Sequence, residues 1–194
     1  MIYNNLRVRW FLAGFAVLSL TACSPSAETA AVIHPEYDQQ SGKLTKLAHD
    51  SNANGKFDTV AMMDGNRVVR VEADEDENGT VDRWELYTSS GEASPIGQSP
   101  DVLERVERAT KRDGHVDRWE FFEHGKLARV NEDSNGDGKV DKWEQYEDGT
   151  LREMALDTGG RGSPDRKLLY NADGNFDRVE VDKDGSGRFE RVYP

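Results

Sequence analysis

Six copies of a segment of about 24 residues make up most of the chain, and this recurrence constrains the fold more than any other feature. Each copy contains a Gly turn, a short segment with apolar residues, an acidic loop and a second such segment. The six loops begin 24, 35, 24, 24 and 25 residues apart, at Asp50, Asp74, Ala109, Asp133, Asp157 and Asp182. A short repeat cannot bury its own apolar face, so neighbouring repeats must pair or stack.

The segments between the loops have the length of strands rather than of helices. Only 12 residues lie between Glu144 and Asp157, and the dipeptide Asp148-Gly149 interrupts them. Two strands joined by a tight turn fit this length, whereas two helices and a linker do not. Val, Trp, Tyr, Phe and Leu are frequent in these segments, which also favours strands. We therefore predict a mostly β fold of tandem antiparallel β-hairpin repeats, arranged as a meander, a solenoid or a propeller-like ring.

Composition divides the chain into three parts. Residues 1–22 combine two Arg with an apolar run and are predicted to be a signal peptide. Residues 23–40 contain Ser, Ala, Thr and Pro and are predicted to be a flexible tether. Residues 41–194 form the repeat domain, in which an insertion loop at 89–101 separates two repeats from four.

The acidic loops follow the pattern D-x-[DN]-x-[DN]-G-x-x-D, which places oxygen-bearing side chains at alternate positions. Calcium takes six to eight oxygen ligands at about 2.3–2.6 Å. In a tightly wound loop, positions 1, 3, 5 and 9 supply side-chain oxygens and position 7 supplies its backbone carbonyl. A Gly at position 6 adopts a conformation that a Cβ would hinder. The loops therefore predict calcium binding.

The predicted calcium ligands lie in four of the six loops, which we number in chain order. In loop 1 they are Asp50, Asn52, Asn54, Lys56 and Asp58. In loop 2 they are Asp74, Asp76, Asn78, Thr80, Asp82 and Glu85. In loop 4 they are Asp133, Asn135, Asp137, Lys139, Asp141 and Glu144, and in loop 6 they are Asp182, Asp184 and Ser186. Loops 3 and 5 are expected to bind no ion, because Lys111 and Arg161 occupy ligand positions there.

Two features of these repeats have alternative interpretations. At position 12, Glu85 and Glu144 are either ligands or solvated strand residues, and the sequence leaves both open. Trp84, Trp119 and Trp143 recur at one repeat position, which favours a role in the repeat core over a sugar-binding stack.

The loops resemble the calcium loops of integrin-type propeller repeats, which end at position 9. They also resemble the EF-hand family, in which position 12 is Glu. The resemblance covers residues 40–194 as a repeat pattern, and no single family of known function accounts for the whole stretch. The EF-hand resemblance implies a helix on each side of the loop and a calcium-sensor function, which is the alternative to the β fold.

The segment from Leu20 to Cys23 resembles the bacterial lipobox, in which small residues precede a Cys. This resemblance implies cleavage before Cys23, acylation of its thiol with two chains, and acylation of the new N-terminus. Several acyl chains anchor a protein firmly to a membrane. We therefore expect a lipid-anchored protein of the cell envelope, and Ser24 after the Cys favours the outer membrane.

The net charge of −12 excludes nucleic acid as a partner, because phosphate contacts need clustered Lys and Arg. The sequence contains no G-x-S-x-G, no H-E-x-x-H and no phosphate-binding Gly loop, so we predict no enzymatic activity. The predicted function is a calcium-binding, structural or binding module of the envelope, whose partners are calcium ions, the membrane and an unidentified envelope or surface protein. An envelope enzyme is the remaining alternative.

Overall fold

The computed structural model describes residues 32–89 and 101–193, except for the side chains of Ser89 and Asp101. Every regular element in these two ranges is a β-strand. In chain order the strands are β1 Val32–Tyr37, β2 Leu44–Asp50, β3 Thr59–Asp64, β4 Arg67–Ala73, β5 Arg83–Ser89, β6 Asp101–Arg108, β7 Arg118–Glu123, β8 Lys126–Glu132, β9 Lys142–Glu147, β10 Thr150–Leu156, β11 Arg166–Tyr170, β12 Phe176–Val181 and β13 Glu190–Tyr193.

These strands form one antiparallel sheet in which the strand order follows the sequence from β1 to β13. The predicted fold of tandem antiparallel β-hairpins is confirmed, and of the three forms left open the structure has the meander. The EF-hand alternative is wrong, because strands and not helices flank every one of the six acidic loops. The segments between loops are too short for a helix with a useful number of internal hydrogen bonds.

Two kinds of connection alternate along the sheet, and each kind occupies one end of it. The two-residue turns His124-Gly125 and Asp148-Gly149 have positive φ at both residues, as type I′ hairpin turns require. A register shift follows within each of these hairpins. Because the acidic loops join the opposite ends of the strands, all six lie at one end of the sheet and the Gly turns lie at the other.

The sheet is a single layer over the described residues. Apart from a marginal contact between β4 and β6, each strand contacts only the strands before and after it. The core is accordingly thin, and its members are small: Ala48, Ala73, Val106, Ala109, Val130 and Ala155. Val130 is the largest side chain that is fully enclosed. The stability of the sheet must therefore come from hydrogen bonds between strands and from the interactions that fix the loops, as well as from apolar burial.

Polar and apolar side chains alternate across the strands in the middle of the sheet. One row runs through Val106, Glu120, Val130 and Glu144, which are register partners on successive strands. A neighbouring row on the other face holds Trp84, Trp119 and Trp143, each of them half-buried.

Strand β1 lies within the segment that the sequence analysis predicts to be a tether. That prediction covers residues 23–40, but residues 32–37 form β1 and pair with β2. All six residues of β1 are exposed, and Pro35 interrupts the strand-forming residues, as is tolerated in an edge strand. The predicted signal peptide, Cys23 and nearly all of the insertion loop lie outside the described residues. Within the described ranges no helix has the length and apolar character needed to cross a membrane.

Candidate metal centre

A ladder of backbone hydrogen bonds joins the six loops into a column at the end of the sheet. The N–H at position 1 of each loop from loop 2 onward donates to the carbonyl at position 9 of the loop before it. The five N···O distances lie between 2.8 and 2.9 Å, and the bonds are Asp74–Asp58, Ala109–Asp82, Asp133–Asp117, Asp157–Asp141 and Asp182–Asp165. Since Ala109 takes part, this ladder depends on the backbone and not on the carboxylate.

The carboxylate at position 1 holds its own loop in shape. In loop 2, Asn78 N donates to Asp74 Oδ1 at 3.1 Å and Gly79 N donates to Oδ2 at 2.8 Å. The same pair of N–H donors, from positions 5 and 6, bonds the position 1 carboxylate in loops 1, 4, 5 and 6. These contacts fold each loop around its position 1 carboxylate.

The charged form of this carboxylate is favoured by the bonds that it accepts. Backbone N–H donors, of which Arg161 is the strongest, lower the pKa of Asp157 below 3.8. Burial acts to raise the pKa of Asp133, and the N–H donors of loop 4 outweigh burial and lower it. The side chains at positions 3 and 5 also accept bonds from the backbone N–H two residues further on. Asn78 N donates to Asp76 Oδ1, and Thr80 N donates to Asn78 Oδ1.

Loop 2 brings together the most complete set of acidic ligands. One carboxylate oxygen from each of Asp74, Asp76 and Asp82 lies within 4.8 Å of the others, and this is the one such group among the described residues. Two oxygens bound to the same calcium ion at about 2.3–2.6 Å can be at most about 5 Å apart. The three side chains are therefore already close enough to share a single ion.

Asp82 adds an observation that is independent of the clustering. The residue is 4% exposed, and its Oδ1 is buried with no hydrogen-bond partner. Its Oδ2 accepts one bond, from Glu75 N at 2.9 Å. An unpaired carboxylate oxygen out of contact with water is costly unless a cation or a donor satisfies it.

Loop 2 lacks the donors that pair both oxygens of the position 9 Asp in other loops. Where position 9 is Asp in those loops, the hydroxyl at position 2 donates to it, at 2.6 Å from Ser51, 2.7 Å from Thr110, 2.7 Å from Ser134 and 2.9 Å from Thr158. In loops 1 and 4 this hydroxyl shares one oxygen with the position 2 N–H, and the second oxygen accepts a bond from Thr59 Oγ1 or from Asn135 N. In loop 3 the N–H and the hydroxyl of Thr110 each pair one oxygen of Asp117. Loop 2 has Glu75 at this position, and a carboxylate has no proton to donate at neutral pH. The identity of the residue at position 2 is visible in the sequence, but the calcium-loop pattern does not include that position.

The other predicted ligand sets are less ready for an ion. In loop 4 both oxygens of Asp141 accept bonds from Ser134 and Asn135. In loop 1 the amide groups of Asn52 and Asn54 both donate to the Glu77 side chain of loop 2. In the remaining predicted ligands, the N–H groups of Lys56, Lys139 and Ser186 donate to side chains within their own loops. Asp182 and Asp184 both accept the Ser186 N–H in loop 6.

The position 12 residues lie in the sheet and not in the loops. Glu144 is buried on β9, where Lys142 Nζ lies 2.9 Å from Oε1 and the Tyr146 hydroxyl donates to Oε2 at 2.7 Å. Burial acts to raise the pKa of Glu144, but these two contacts outweigh burial and lower it. Burial, followed by the bond to Glu144, raises the pKa of Tyr146 to about 12. Glu144 is thus neither grouped with loop ligands nor solvated.

Glu85 has the same environment on β5. The Tyr87 hydroxyl donates to its Oε2 at 2.5 Å, and Arg83 pairs with its Oε1. It is outside the group formed by Asp74, Asp76 and Asp82. In each of these two repeats a strand begins directly after the position 9 Asp, three residues before the position 12 Glu. The Glu side chain is therefore directed onto a face of the sheet and not into the loop.

Position 4 connects neighbouring loops, and the sequence pattern had not singled it out. The backbone has positive φ there in every loop, with Ala53, Glu77 and Arg112 at φ 56 and Gly in loops 4 to 6. Glu77 contacts positions 3 and 5 of loop 1, as described above. Arg112 Nη1 lies 3.6 Å from Asp76 Oδ2, and the Arg112 carbonyl accepts a bond from Asn78 Nδ2 at 3.2 Å. The aligned repeats show a charged residue there in loops 2 and 3.

Comparison with known proteins leaves the chain without an assigned family. No protein-family model matches it, and no curated protein matches it in sequence. Among solved structures it is similar to the crystal structure of accessory secretory protein 1,2 and 3 in Streptococcus pneumoniae, with 15% identity and a TM-score of 0.28. The match covers 76% of this chain, which spans 22% of the length of the matched chain. A TM-score this low supports no inference about function.

Proposed function

We propose that the protein is a calcium-binding repeat module in which the ion stabilises a thin single-layer sheet. The observation that carries this proposal is loop 2, where three carboxylates converge within 4.8 Å and Asp82 has a buried oxygen with no partner. Residues 74–82 hold five carboxylates and no basic residue. A hard divalent cation satisfies the free oxygen and offsets the repulsion among these charges.

Calcium suits this loop better than softer metals do. The available ligands are carboxylate, amide and backbone carbonyl oxygens, which hard cations prefer. No His or Cys belongs to the acidic group in the described residues. Loops 1 and 4 are weaker candidates, because both oxygens of their position 9 Asp already accept bonds within the protein. Loop 6 is a weaker candidate because its acidic residues form no such group.

The module is proposed to act at the cell envelope, anchored through lipid on Cys23. The basis for this part is the lipobox-like segment before Cys23 in the sequence. The outer membrane is the proposed location, and an unidentified envelope or surface protein is the proposed partner. The role is structural or binding rather than enzymatic, and the acidic surface favours cations over nucleic acid.

Thermal melting of the purified protein tests the role of calcium. Extracellular modules bind calcium with Kd values of about 10⁻⁴–10⁻³ M. Binding to the native state alone then adds about 1.4–2.7 kcal/mol per site at about 10 mM calcium. For a protein of this size, that corresponds to a rise of about 3–10 °C in the melting temperature relative to protein in chelator.

The variants Asp76→Asn and Asp113→Asn provide the comparison. Each removes one negative charge from an acidic loop, but Asp76 belongs to the proposed site and Asp113 belongs to loop 3. We expect the calcium-dependent rise to shrink in Asp76→Asn and to persist in Asp113→Asn. If the melting temperature of the unmodified sequence is the same in chelator and in about 10 mM calcium, the proposed function is wrong.

A further inference from the structure

The two loops that lack a calcium ligand set carry basic side chains that reach into their neighbours. Loop 3 has Lys111 and Arg112 at positions 3 and 4, and loop 5 has Arg161 at position 5. Lys111 and Arg161 were expected only to prevent binding in their own loops. The column of loops gives them a second set of contacts, because it holds each loop directly beside the next.

Arg112 faces the acidic group of loop 2. Its guanidinium Nη1 lies 3.6 Å from Asp76 Oδ2, and its side chain is 53% exposed. Asp76 is one of the three residues that converge there. A positive charge of the protein therefore already sits beside a carboxylate that the proposed ion would use.

Lys111 extends to the other side, towards loop 4. Its Nζ occupies the space that a Cβ on Gly136 would require, at position 4 of that loop. Gly136 N in turn donates to Asp133 Oδ1 at 2.7 Å, so the Lys111 ammonium lies next to the loop that carries this carboxylate. Loop 3 thus supplies one cation to the loop before it and one to the loop after it.

Arg161 repeats this arrangement between loops 5 and 6. Its Nη2 lies 3.8 Å from Asp182 Oδ2, and Asp182 is almost fully buried. Its Nη1 is 2.8 Å from the place where a Cβ on Gly185 would be. Gly at position 4 of loops 4 and 6 leaves room for a side chain from the preceding loop. Lys111 fills this space at Gly136, and Arg161 fills it at Gly185.

We propose that Lys111, Arg112 and Arg161 act as tethered cations that compete with the metal ion at loops 4, 2 and 6 and set its affinity. This inference rests on the proposed calcium binding at the same loops. In the metal-free protein the tethered cations reduce repulsion among the carboxylates. When an ion binds, each must move aside, because two cations near one carboxylate group repel each other. The ligand-poor loops therefore regulate the ligand-rich ones.

Per-loop calcium titration of the full protein tests the competition. The amide signals of Gly79, Gly138 and Gly187 report loops 2, 4 and 6 separately in NMR spectra, because each N–H donates to the position 1 carboxylate of its loop. Replacing an exposed ion-pairing cation changes binding by about two- to fivefold. We expect Arg112→Gln to tighten calcium binding at loop 2 by this factor without tightening it at loop 6.

Two further variants give the same test at the other loops. Lys111→Gln should tighten binding at loop 4, and Arg161→Gln should tighten it at loop 6. The matched control is Lys126→Gln, which removes one positive charge at the opposite end of the sheet, where Lys126 Nζ lies 2.9 Å from Asp148. The control should leave all three affinities within the error of the measurement.

The outcomes separate the inference from the proposed function. If the unmodified sequence binds calcium but Arg112→Gln binds it no more tightly than Lys126→Gln, the competition is refuted and the proposed function stands. If only Arg112→Gln binds calcium, the competition is supported and the unmodified protein is not a calcium-binding module. If neither binds, both proposals are refuted.

Discussion

Replacing Glu75 with Thr should satisfy Asp82 in the metal-free protein and weaken calcium binding at loop 2. In loop 3 the Thr at this position pairs both oxygens of the position 9 Asp, one through its N–H at 2.8 Å and the other through its hydroxyl at 2.7 Å. The same hydroxyl in loop 2 would reach Asp82 Oδ1, which is buried and has no partner, while the position 2 N–H keeps its bond to Oδ2. Glu75→Thr thus supplies by substitution the contact that we assign to the ion.

The expected magnitude follows from the cost of an unsatisfied buried acceptor, which is about 1–3 kcal/mol. The substitution also removes the ion pairs that Glu75 makes with Arg83 at 2.8 Å and with Arg108 at 3.7 Å. Pairs this exposed contribute about 0.2–1 kcal/mol each. Glu75→Gln loses the same two pairs, so in chelator the free energy of unfolding of Glu75→Thr should exceed that of Glu75→Gln by about 1–3 kcal/mol.

Calcium binding at loop 2 should weaken in the same variant, because the ion must displace the new hydroxyl. Each 1.4 kcal/mol corresponds to about tenfold in Kd, so we expect a loss of about 5- to 100-fold. The assays are urea unfolding in chelator and calcium titration of the Gly79 amide signal.

Glu75→Gln is the control for charge. It removes the carboxylate and the ion pairs with Arg83 and Arg108, as Thr does, but its longer side chain does not reproduce the short hydroxyl contact seen in loop 3. It should weaken calcium binding by less than Thr does and should not stabilise the metal-free protein. If the two variants have equal unfolding free energies in chelator and equal Kd values at loop 2, our explanation of the unpaired Asp82 oxygen is wrong.

Two more predictions concern what holds the sheet together. Val130→Ala should lower the free energy of unfolding by about 2 kcal/mol in urea titration, because it removes two fully buried methyl groups. Val69→Ala changes a side chain that is 45% exposed and should lower the free energy of unfolding far less. Equal losses in the two variants would contradict a core centred on Val130. In chelator, stability should fall as the pH drops below about 4 to 5, because Asp58, Asp133, Asp157 and Glu144 have folded-state pKa values below their ordinary values of 3.8 and 4.5. Their contribution is complete above the ordinary values and is lost as the pH falls through the lower folded-state ones, so unfolding midpoints that do not change between pH 7 and pH 3 would contradict it.

The arrangement of the predicted ligand positions has causes that lie within single loops. Side chains at positions 1, 3 and 5 turn inward because each bonds an N–H only a few residues away, as Asp74 does with Gly79. Glu85 and Glu144 are different, because the direction of a strand residue depends on where the strand begins. Their Tyr and basic partners two residues away could have been found in the sequence once the strand was known.

The sequence by itself determined the repeat, the alternation of turns and loops, and the strands between them. Each of these depends on contacts within about a dozen residues, so their signals lie in short stretches such as Asp148-Gly149. Only the tertiary structure decided that the strands form one open layer and that the loops form a column. Contacts such as Arg112 with Asp76 join residues 36 positions apart, and no local pattern specifies which loops become neighbours. The arrangement of loop 2 thus depends on both levels, because Glu75 brings no hydroxyl to Asp82 Oδ1 and the folded protein buries that oxygen.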